Sequence, residues 1–271
     1  MLLLILVAPV LVGSVASIKA ADDAPSGQLM VSCPIDRGPV TTNILLRVFP
    51  VRIGRKGGTA FTVEIENRQY IVTAKHVLEG ELPETIEVEL DAWTRIPVKL
   101  VGRGPGQQDV LVLATDRRLT AAFPVDVGMA GLMIGQSVRF LGYFPRVKTS
   151  PLPGYKKRGA PLVMGGIVSG FNFDEMSADG TSLWIDGHNN EGFSGGPVVF
   201  QPAQAASREE CRWKIAGVIS GYVTAPVEIR TMAGQQAAAV AISNAGLLRA
   251  IPIKTVHELA TRNPIGFNLD R

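Results

Sequence analysis

Charged and reactive residues are scarce in this 271-residue sequence. It contains two cysteines and three histidines, and Asp, Glu, Lys and Arg together make up 19% of it. The formal net charge of +3 is too small to indicate a nucleic-acid partner. No Cys, His or Asp spacing is typical of a zinc or calcium site, so we expect no metal and no cofactor. An apolar fraction of 46% excludes a disordered chain and predicts a folded core.

The first twenty residues differ in composition from the rest. Residues 2–12 are almost wholly apolar, and small residues follow as far as Ala20, before the acidic pair at 22–23. This order is typical of a secretory signal peptide over residues 1–20, cleaved after Ala16 or Ala20. The segment starts without Lys or Arg, and its apolar stretch is close to the shortest membrane span, so an uncleaved anchor is the alternative. We expect an exported protein, periplasmic or secreted, that leaves the membrane once the signal is cleaved.

The two cysteines lie far apart in the chain, at Cys33 and Cys211. In an exported protein an even number of cysteines favours a disulfide, because the compartment is oxidising. We therefore predict a bond between Cys33 and Cys211, with two unpaired thiols as the alternative.

Short apolar runs bounded by turn residues follow one another from about residue 43, with clear alternation in TIEVEL at 85–90. The first six runs are 44–53, 60–66, 69–74, 85–90, 96–102 and 110–115. The next six are 137–143, 163–171, 182–185, 196–200, 213–220 and 237–242. Helical periodicity is found only at 244–251 and 255–261. The pattern predicts an all-β fold of two six-stranded antiparallel β-barrels, over about 43–122 and 136–243, with a short C-terminal helix.

Three residues form a candidate catalytic set. His76 follows the end of a strand-like run, Asp109 directly precedes another, and Ser194 stands among glycines in GFSGGP. Each alone also fits a structural role, in a strand end, a cap or a tight turn. Together they fit one chemistry, because a serine hydroxyl needs a base to become a nucleophile. Imidazole is such a base near neutral pH, and a carboxylate can orient it.

The segments around these residues resemble the three signature blocks of the chymotrypsin-fold serine proteases. They read TAKH at 73–76, DVLVL at 109–113 and GFSGGP at 192–197, in the family's order His, Asp, Ser. An acid at Asp186, eight residues before the serine, resembles the bacterial HtrA/DegP-like branch, as do GGIVS at 165–169 and VAIS at 240–243. The resemblance covers about residues 43–251, which we take as the protease domain.

The resemblance implies a role for each residue of the set. His76 would be the general base, Asp109 its orienting partner and Ser194 the nucleophile. The backbone N–H groups of Gly192 and Ser194 would form the oxyanion hole, which stabilises the charge that develops on the substrate carbonyl.

The resemblance also implies where substrate binds. The run at 215–221 is similar to the strand that lines the primary specificity pocket and pairs with substrate backbone, which points to Ser220, Gly221 and Tyr222. His188, six residues before the serine, stands roughly where the base of that pocket is expected. A protonated imidazole there would favour acidic side chains, and an exposed loop histidine is the alternative.

Three features depart from the family pattern. Phe193 replaces the aspartate that trypsin-like zymogens use to bind a new N-terminus, and no IVGG start is present, so we do not expect activation by propeptide cleavage. Lys75 replaces a smaller residue before the histidine. Residues 21–42 are expected to form an N-terminal extension and 252–271 a tail, which is too short for the PDZ domain of full HtrA proteins.

The function expected from the sequence is that of an exported serine endopeptidase acting on polypeptides through an acyl-enzyme intermediate. The alternative from another class is a catalytically silent protease-fold module that binds peptides or proteins. GFSGG also fits the G-x-S-x-G elbow of α/β-hydrolases, but that fold needs its acid and its histidine after the serine. Only His257 follows Ser194, and the helix-poor pattern does not fit.

Overall fold

The computed structural model describes residues 31–33, 38–78, 80, 82–121, 123–173, 180–230 and 236–270. The predicted signal peptide, its cleavage sites and much of the predicted N-terminal extension lie outside them. Within the described ranges, no helix is both long and apolar enough to cross a membrane.

The first barrel follows a short strand β1 (Val31–Ser32) and a helix α1 (Thr42–Arg47). Its six strands are β2 (Val48–Ile53), β3 (Lys56–Ile65), β4 (Arg68–Thr73), β5 (Thr85–Glu89), β6 (Trp93–Arg103) and β7 (Leu111–Thr115). Their order is β4-β3-β2-β5-β6-β7, and the pairing of β4 with β7 closes the barrel. The alternating residues Ile86 and Val88 of β5 are buried in its core, as the sequence predicts.

The prediction of a single strand over residues 44–53 is wrong in its first half. Residues Thr42–Arg47 form α1, and the strand begins only at Val48. The buried residues of α1 are Ile44 and Arg47, three positions apart, a helical spacing that a continuous apolar run conceals. Arg47 forms an ion pair with Glu64.

The second barrel has six strands, and two further short strands flank it. In chain order these eight are β8 (Asp126–Val127), β9 (Ser137–Gly142), β10 (Leu162–Asn172), β11 (Ser182–Asp186), β12 (Pro197–Phe200), β13 (Gln204–Ala205), β14 (Lys214–Arg230) and β15 (Gln236–Pro252). The barrel order is β9-β10-β11-β15-β14-β12, closed by β12 on β9. Strand β8 joins β14 in parallel, and β13 pairs with β1.

The predicted helix over residues 244–251 is wrong, because these residues belong to β15. Leu248 and Ala250 are fully buried, while Arg249 between them is not, which is the alternation of a strand. Ala250 pairs with Leu183 of β11 on one side and with Ile219 of β14 on the other. Pairing on both edges overrides the helical preference of alanine and leucine.

A C-terminal clasp, made of α2 (Lys254–Arg262) and β16 (Phe267–Asn268), joins the barrels. Helix α2 follows β15 of barrel two, but its buried residues Val256, Leu259 and Ala260 lie in a cluster with side chains of barrel one. Strand β16 then pairs with β4 of barrel one. The same cluster contains Leu141 from barrel two, so the barrels share one apolar interface. The predicted fold of two six-stranded antiparallel barrels with a short C-terminal helix is confirmed.

Cys33 and Cys211 form a disulfide, with their Cα atoms 5.4 Å apart. These are the two residues for which the sequence predicts a pairing. The bond joins the residue after β1 to a 3₁₀ helix, Glu209–Cys211, of barrel two. It spans a sequence separation of 178 residues, so it ties the N-terminal segment to the second half of the fold.

Candidate active site

His76 lies just beyond the end of β4, in a 3₁₀ helix that covers Lys75–Leu78. All but the first residue of β4 are buried, so the strand ends in the core of barrel one. The 3₁₀ turn buries Val77 and Leu78 in the same core and leaves the His76 side chain 48% exposed. An imidazole in this position is anchored through its backbone and is accessible to a substrate.

Asp109 stands in the connection between β6 and β7 and binds His76 at two points. Its Oδ2 atom lies 2.6 Å from Nδ1 of the His76 ring, and its Oδ1 atom accepts a 3.1 Å hydrogen bond from the His76 backbone N–H. The hydroxyl of Ser220 donates to Oδ2 at 3.0 Å. These contacts fix the position of the carboxylate, whose side chain is 18% exposed.

Burial and hydrogen bonding act in opposite directions on the pKa of Asp109. Burial raises the pKa, because it disfavours the charged form. The hydrogen bonds from the His76 ring, the His76 backbone and Ser220 lower it, as does the charge of the imidazole, and together they outweigh burial. The pKa of Asp109 therefore lies below its ordinary value, and the carboxyl is ionised at neutral pH.

Ser194 lies in a tight glycine-rich turn that rests against barrel one. Gly195 has a φ of +86°, a conformation that favours glycine. A side chain there would collide with the carbonyl oxygen of Thr59 and the hydroxyl of Thr73, the last residue of β4. The backbone N–H of Thr59 donates to the Ser194 carbonyl at 2.9 Å. The Ser194 turn and the strand that leads to His76 are thus in direct contact.

Gly58 marks the place where the two segments meet. A Cβ atom added to Gly58 would lie 2.8 Å from both the Ser194 carbonyl oxygen and a methyl group of Val77. Because Val77 directly follows His76, the close approach of serine and histidine segments depends on this glycine.

The backbone N–H groups of Gly192 and Ser194, both in the Ser194 turn, have no acceptor among the residues that the structure describes. The carbonyl oxygen of Gly192 is fixed by a 2.7 Å hydrogen bond from the Thr59 hydroxyl, which itself accepts the backbone N–H of Tyr143 at 3.0 Å. Thr59 was not singled out by the sequence, because its contact with residue 192 is visible only in the fold.

Phe193 anchors the turn from inside. Its side chain is fully buried in the core of barrel two and meets Phe140 edge to face, with ring centroids 6.1 Å apart. Gly142 leaves room for it, since a Cβ atom at that position would lie 2.5 Å from the ring. The residue at this position is therefore held by apolar packing rather than by an ion pair.

Lys75 is tied to the segment that supplies Asp109. Its Nζ atom donates to the carbonyl oxygens of Gly104 and Gly106 at 3.1 and 3.0 Å. The same segment is held by Gln108, whose side chain accepts a hydrogen bond from the hydroxyl of Thr255 on α2. The lysine that departs from the family pattern thus connects the histidine turn to the aspartate turn.

A cleft of about 890 Å³ brings four of the eight candidate catalytic and substrate-binding residues together. His76, Gly192, Ser194 and Tyr222 all line it. Within the described part of the chain, no group of three His, Cys, Asp or Glu side chains is placed to hold a metal ion.

The other predicted substrate-binding residues do not line this cleft. Ser220 is buried against Asp109, and Gly221 pairs with Arg249 of β15. His188 is exposed and is not one of the residues that line the cleft. Substrate contacts at all of these positions stay a prediction.

The sequence of residues 58–203, more than half of the chain, matches the family model described as a trypsin-like peptidase domain. No curated protein matches the chain. Among solved structures, "HtrA-type protease AlgW with tripeptide" is similar, with a TM-score of 0.50 and 19% identity over 83% of this chain and 62% of that one. An alanine variant of that protease, also with a tripeptide, has a TM-score of 0.49, the same identity and the same coverage. The chain thus spans less than two thirds of the length of that protease. At 19% identity, the similarity to the first structure concerns the fold alone.

Proposed function

Because the chain belongs to the trypsin-like peptidase family, we propose that it is an exported serine endopeptidase that hydrolyses peptide bonds through an acyl-enzyme intermediate. The observation that carries this proposal is the 2.6 Å contact between His76 Nδ1 and Asp109 Oδ2, next to the cleft that Ser194 lines. Such a pair is the arrangement that a serine nucleophile requires.

Asp109 would fix the proton on the His76 ring. An ionised carboxylate can only accept a hydrogen bond, so the proton of the neutral ring lies on Nδ1, and Nε2 is left as the base. When the Ser194 hydroxyl attacks the scissile carbonyl carbon, Nε2 takes the hydroxyl proton. The charge of Asp109 then stabilises the imidazolium that forms.

The N–H groups of Gly192 and Ser194 would stabilise the negative charge on the substrate oxygen. They lack an acceptor in the described part of the protein, and the contact between Thr59 and the Gly192 carbonyl holds their turn in place. Removal of one donor of this kind costs about 2.7–4 kcal/mol of transition-state stabilisation.

The reaction would proceed in two halves that share His76. In the first, the peptide C–N bond breaks, the imidazolium gives its proton to the departing amine, and the acyl group stays on Ser194 Oγ as an ester. In the second, His76 takes a proton from water as the water oxygen adds to the ester carbonyl. The C–Oγ bond then breaks, Ser194 regains a proton from His76, and the carboxylic acid leaves.

The edge of β14 supports a place for the substrate backbone. Pairing of β14 with β12 ends at Val218, and in the described chain the following residues pair as a strand only with β15. We assign the acyl half of the substrate to Ser220, Gly221 and Tyr222 on this edge, with His188 as a further residue of the specificity pocket. The substrate is a polypeptide, and the reaction needs neither cofactor nor nucleic acid.

Export is the second part of the proposal. The signal-like residues 1–20 support it, as does the bond between Cys33 and Cys211, because disulfides persist in oxidising compartments. We keep residues 43–251 as the protease domain, with an extension before it and a tail after it. Intact mass of the protein recovered from outside the cytoplasm tests this part, with a start at residue 17 or 21 expected and a retained Met1 against it.

Labelling with a fluorophosphonate tests the catalytic part. We expect one adduct on the wild-type protein by intact mass and none on Ser194→Ala, together with loss of peptide hydrolysis in the variant. The exposed Ser169, outside the cleft, provides a matched control as Ser169→Ala, which keeps the adduct. Absence of an adduct on the folded wild type would overturn the proposal and favour a silent peptide-binding module.

A further inference from the structure

The cleft is lined by more cations than carboxylates. Its basic side chains are Arg52, Arg55, Lys56 and Lys148, which we call the basic wall. Its carboxylates are Glu89 and Glu191. Three members of the basic wall belong to the hairpin that joins β2 to β3, so the charge is concentrated on one element.

The members of the basic wall differ in whether they already form an ion pair within the protein. Arg52 donates to Glu87 at 2.8 Å and lies over the ring of Trp93, 3.9 Å from its centroid. Arg55 and Lys148 are exposed, and neither forms an ion pair with a carboxylate of the described residues. These two side chains are available to a charged ligand in the cleft.

Two elements approach the His76 and Ser194 segments, β14 and the hairpin that carries three members of the basic wall. Ser220 of β14 binds Asp109, the partner of the imidazole. Gly58 of β3 lies against Val77 and the Ser194 carbonyl. A peptide that crosses Ser194 therefore has one half near β14 and the other half near the hairpin. Since β14 takes the acyl half in the proposed function, the hairpin faces the leaving-group half.

The length of the hairpin determines how far from the scissile bond its basic side chains can contact a substrate. Arg55 is three residues from Gly58, or about 10 Å along a strand. An extended substrate covers the same distance in about three residues. Glu191 directly precedes Gly192 and so lies closer to the scissile bond than Arg55 does. Attraction for negative charge is therefore strongest beyond the first leaving-group residue.

Resting on the proposed function, we infer that the basic wall selects polypeptides with Asp or Glu at the second and third positions after the cleaved bond. The pairs formed are partly exposed to solvent, so each contributes modestly and is weakened by salt. Charges gathered along one cleft also raise the rate at which oppositely charged substrates associate. We expect a preference of about tenfold in kcat/KM at low ionic strength, in keeping with the upper range for such charge effects.

Three quenched fluorescent peptides test this inference directly. They share one acyl half and carry Glu, Gln or Lys at the second and third leaving-group positions. The expected order of kcat/KM is Glu above Gln above Lys, with differences that shrink at high ionic strength. Equal values for the three peptides, or an order that salt does not change, would overturn the inference.

Charge reversal within the basic wall provides the second arm. Arg55→Glu and Lys148→Glu are expected to lower the Glu-to-Lys ratio of kcat/KM, and to invert it when combined. Arg117→Glu is the matched control, because Arg117 is exposed on barrel one outside the cleft and the variant changes net charge equally. A ratio that falls as much in the control as in the wall variants would assign the preference to net charge and not to this wall.

Failure of the inference can be separated from failure of the proposed function. Fluorophosphonate labelling reports on Ser194 without a leaving-group half. The dissociation constants of the Glu and Lys peptides for the Ser194→Ala protein, from fluorescence anisotropy, compare their binding without cleavage. Tighter binding of the Glu peptide supports the basic wall even in a protein that does not cleave. Equal binding together with normal labelling overturns the wall and leaves the protease intact.

Discussion

The hydroxyl of Ser220, on barrel two, donates a 3.0 Å hydrogen bond to Oδ2 of Asp109, on barrel one. The same oxygen atom lies 2.6 Å from the ring nitrogen of His76. The carboxylate is therefore held from both barrels at once. Ser220 was predicted as a substrate-binding residue, and the structure gives it a contact with Asp109 that the sequence did not indicate.

Asp109→Asn is expected to lower kcat by about 10⁴-fold, the scale seen when the acid of such a triad becomes an amide. An amide does not hold the proton on Nδ1 of His76 as a carboxylate does, so Nε2 loses its role as base. KM should change little, because Asp109 does not line the cleft. Steady-state kinetics on a neutral peptide measure both constants.

Asp116→Asn is the control for that change, since Asp116 is an exposed aspartate of barrel one that contacts Arg117. It should leave kcat unchanged. Similar losses in both variants, or a loss in KM alone for Asp109→Asn, would contradict an orienting role for Asp109.

Acid should remove part of the stability that Asp109 provides. The pKa of Asp109 in the folded protein lies below the ordinary value of 3.8, so the ionised form stabilises the fold above that pH, and this contribution is lost as pH falls through the folded-state pKa. The free energy of unfolding of the wild type, minus that of Asp109→Asn, should fall as the pH is lowered below 3.8. Urea unfolding of both proteins over a pH series measures this difference, and a difference that grows as the pH is lowered below 3.8 would contradict the lowered pKa.

Lys75→Met should lower kcat by about ten- to hundredfold, because small displacements of catalytic groups have effects of this size. The variant loses the hydrogen bonds to Gly104 and Gly106 that hold the segment before Asp109. Lys75→Arg should restore part of the rate, because a guanidinium can donate to the same carbonyls. Both kcat and KM are measured at a temperature where circular dichroism shows each variant folded.

Lys254→Met, at an exposed position on α2, is the matched loss of one lysine and should not change kcat. Equal losses for Lys75→Met and Lys75→Arg would show that Lys75 does not act through these carbonyl contacts. A rise in KM without a loss in kcat would point to substrate binding instead.

Removal of the disulfide should destabilise the protein without slowing its chemistry. Cys33→Ser with Cys211→Ser is expected to lower the free energy of unfolding by about 2–5 kcal/mol, the usual range for a native bond. Neither cysteine lines the cleft, so kcat should stay the same while the protein is folded. Urea unfolding with and without reductant measures the effect, and reductant should shift the wild type but not the double variant.

The local sequence pattern predicted most strands of this fold. It failed where contacts with residues distant in the chain determine the secondary structure. The strand at 85–90 follows from its alternation, since the structure places β5 at Thr85–Glu89. The helix predicted over residues 244–251 rests on their helical periodicity, and only pairing with β11 and β14 makes them a strand. Helix α1 was hidden in an apolar run that fits a strand equally well.

The candidate site shows the same division. The sequence pointed to His76, Asp109 and Ser194 by their motifs, and the structure brings the first two into contact. Thr59 and the carbonyl contacts of Lys75 were not found, because each joins residues that lie tens of positions apart. Neither carries a local signal, since a threonine or a lysine on a barrel strand or turn is common.

The C-terminal clasp limits how far the two barrels can rotate relative to each other. Barrel one carries His76 and barrel two carries Ser194, so any rotation between the barrels alters the spacing of the two side chains. Helix α2 and β16 restrain that rotation. They follow β15 of barrel two in the chain, but α2 packs against β6 of barrel one and β16 pairs with β4 of barrel one. Leu259 fits directly over Gly102, with no space for a larger residue. A larger residue at Gly102 would push α2 away from barrel one and so misalign His76 and Ser194, although no residue of the cleft itself is changed.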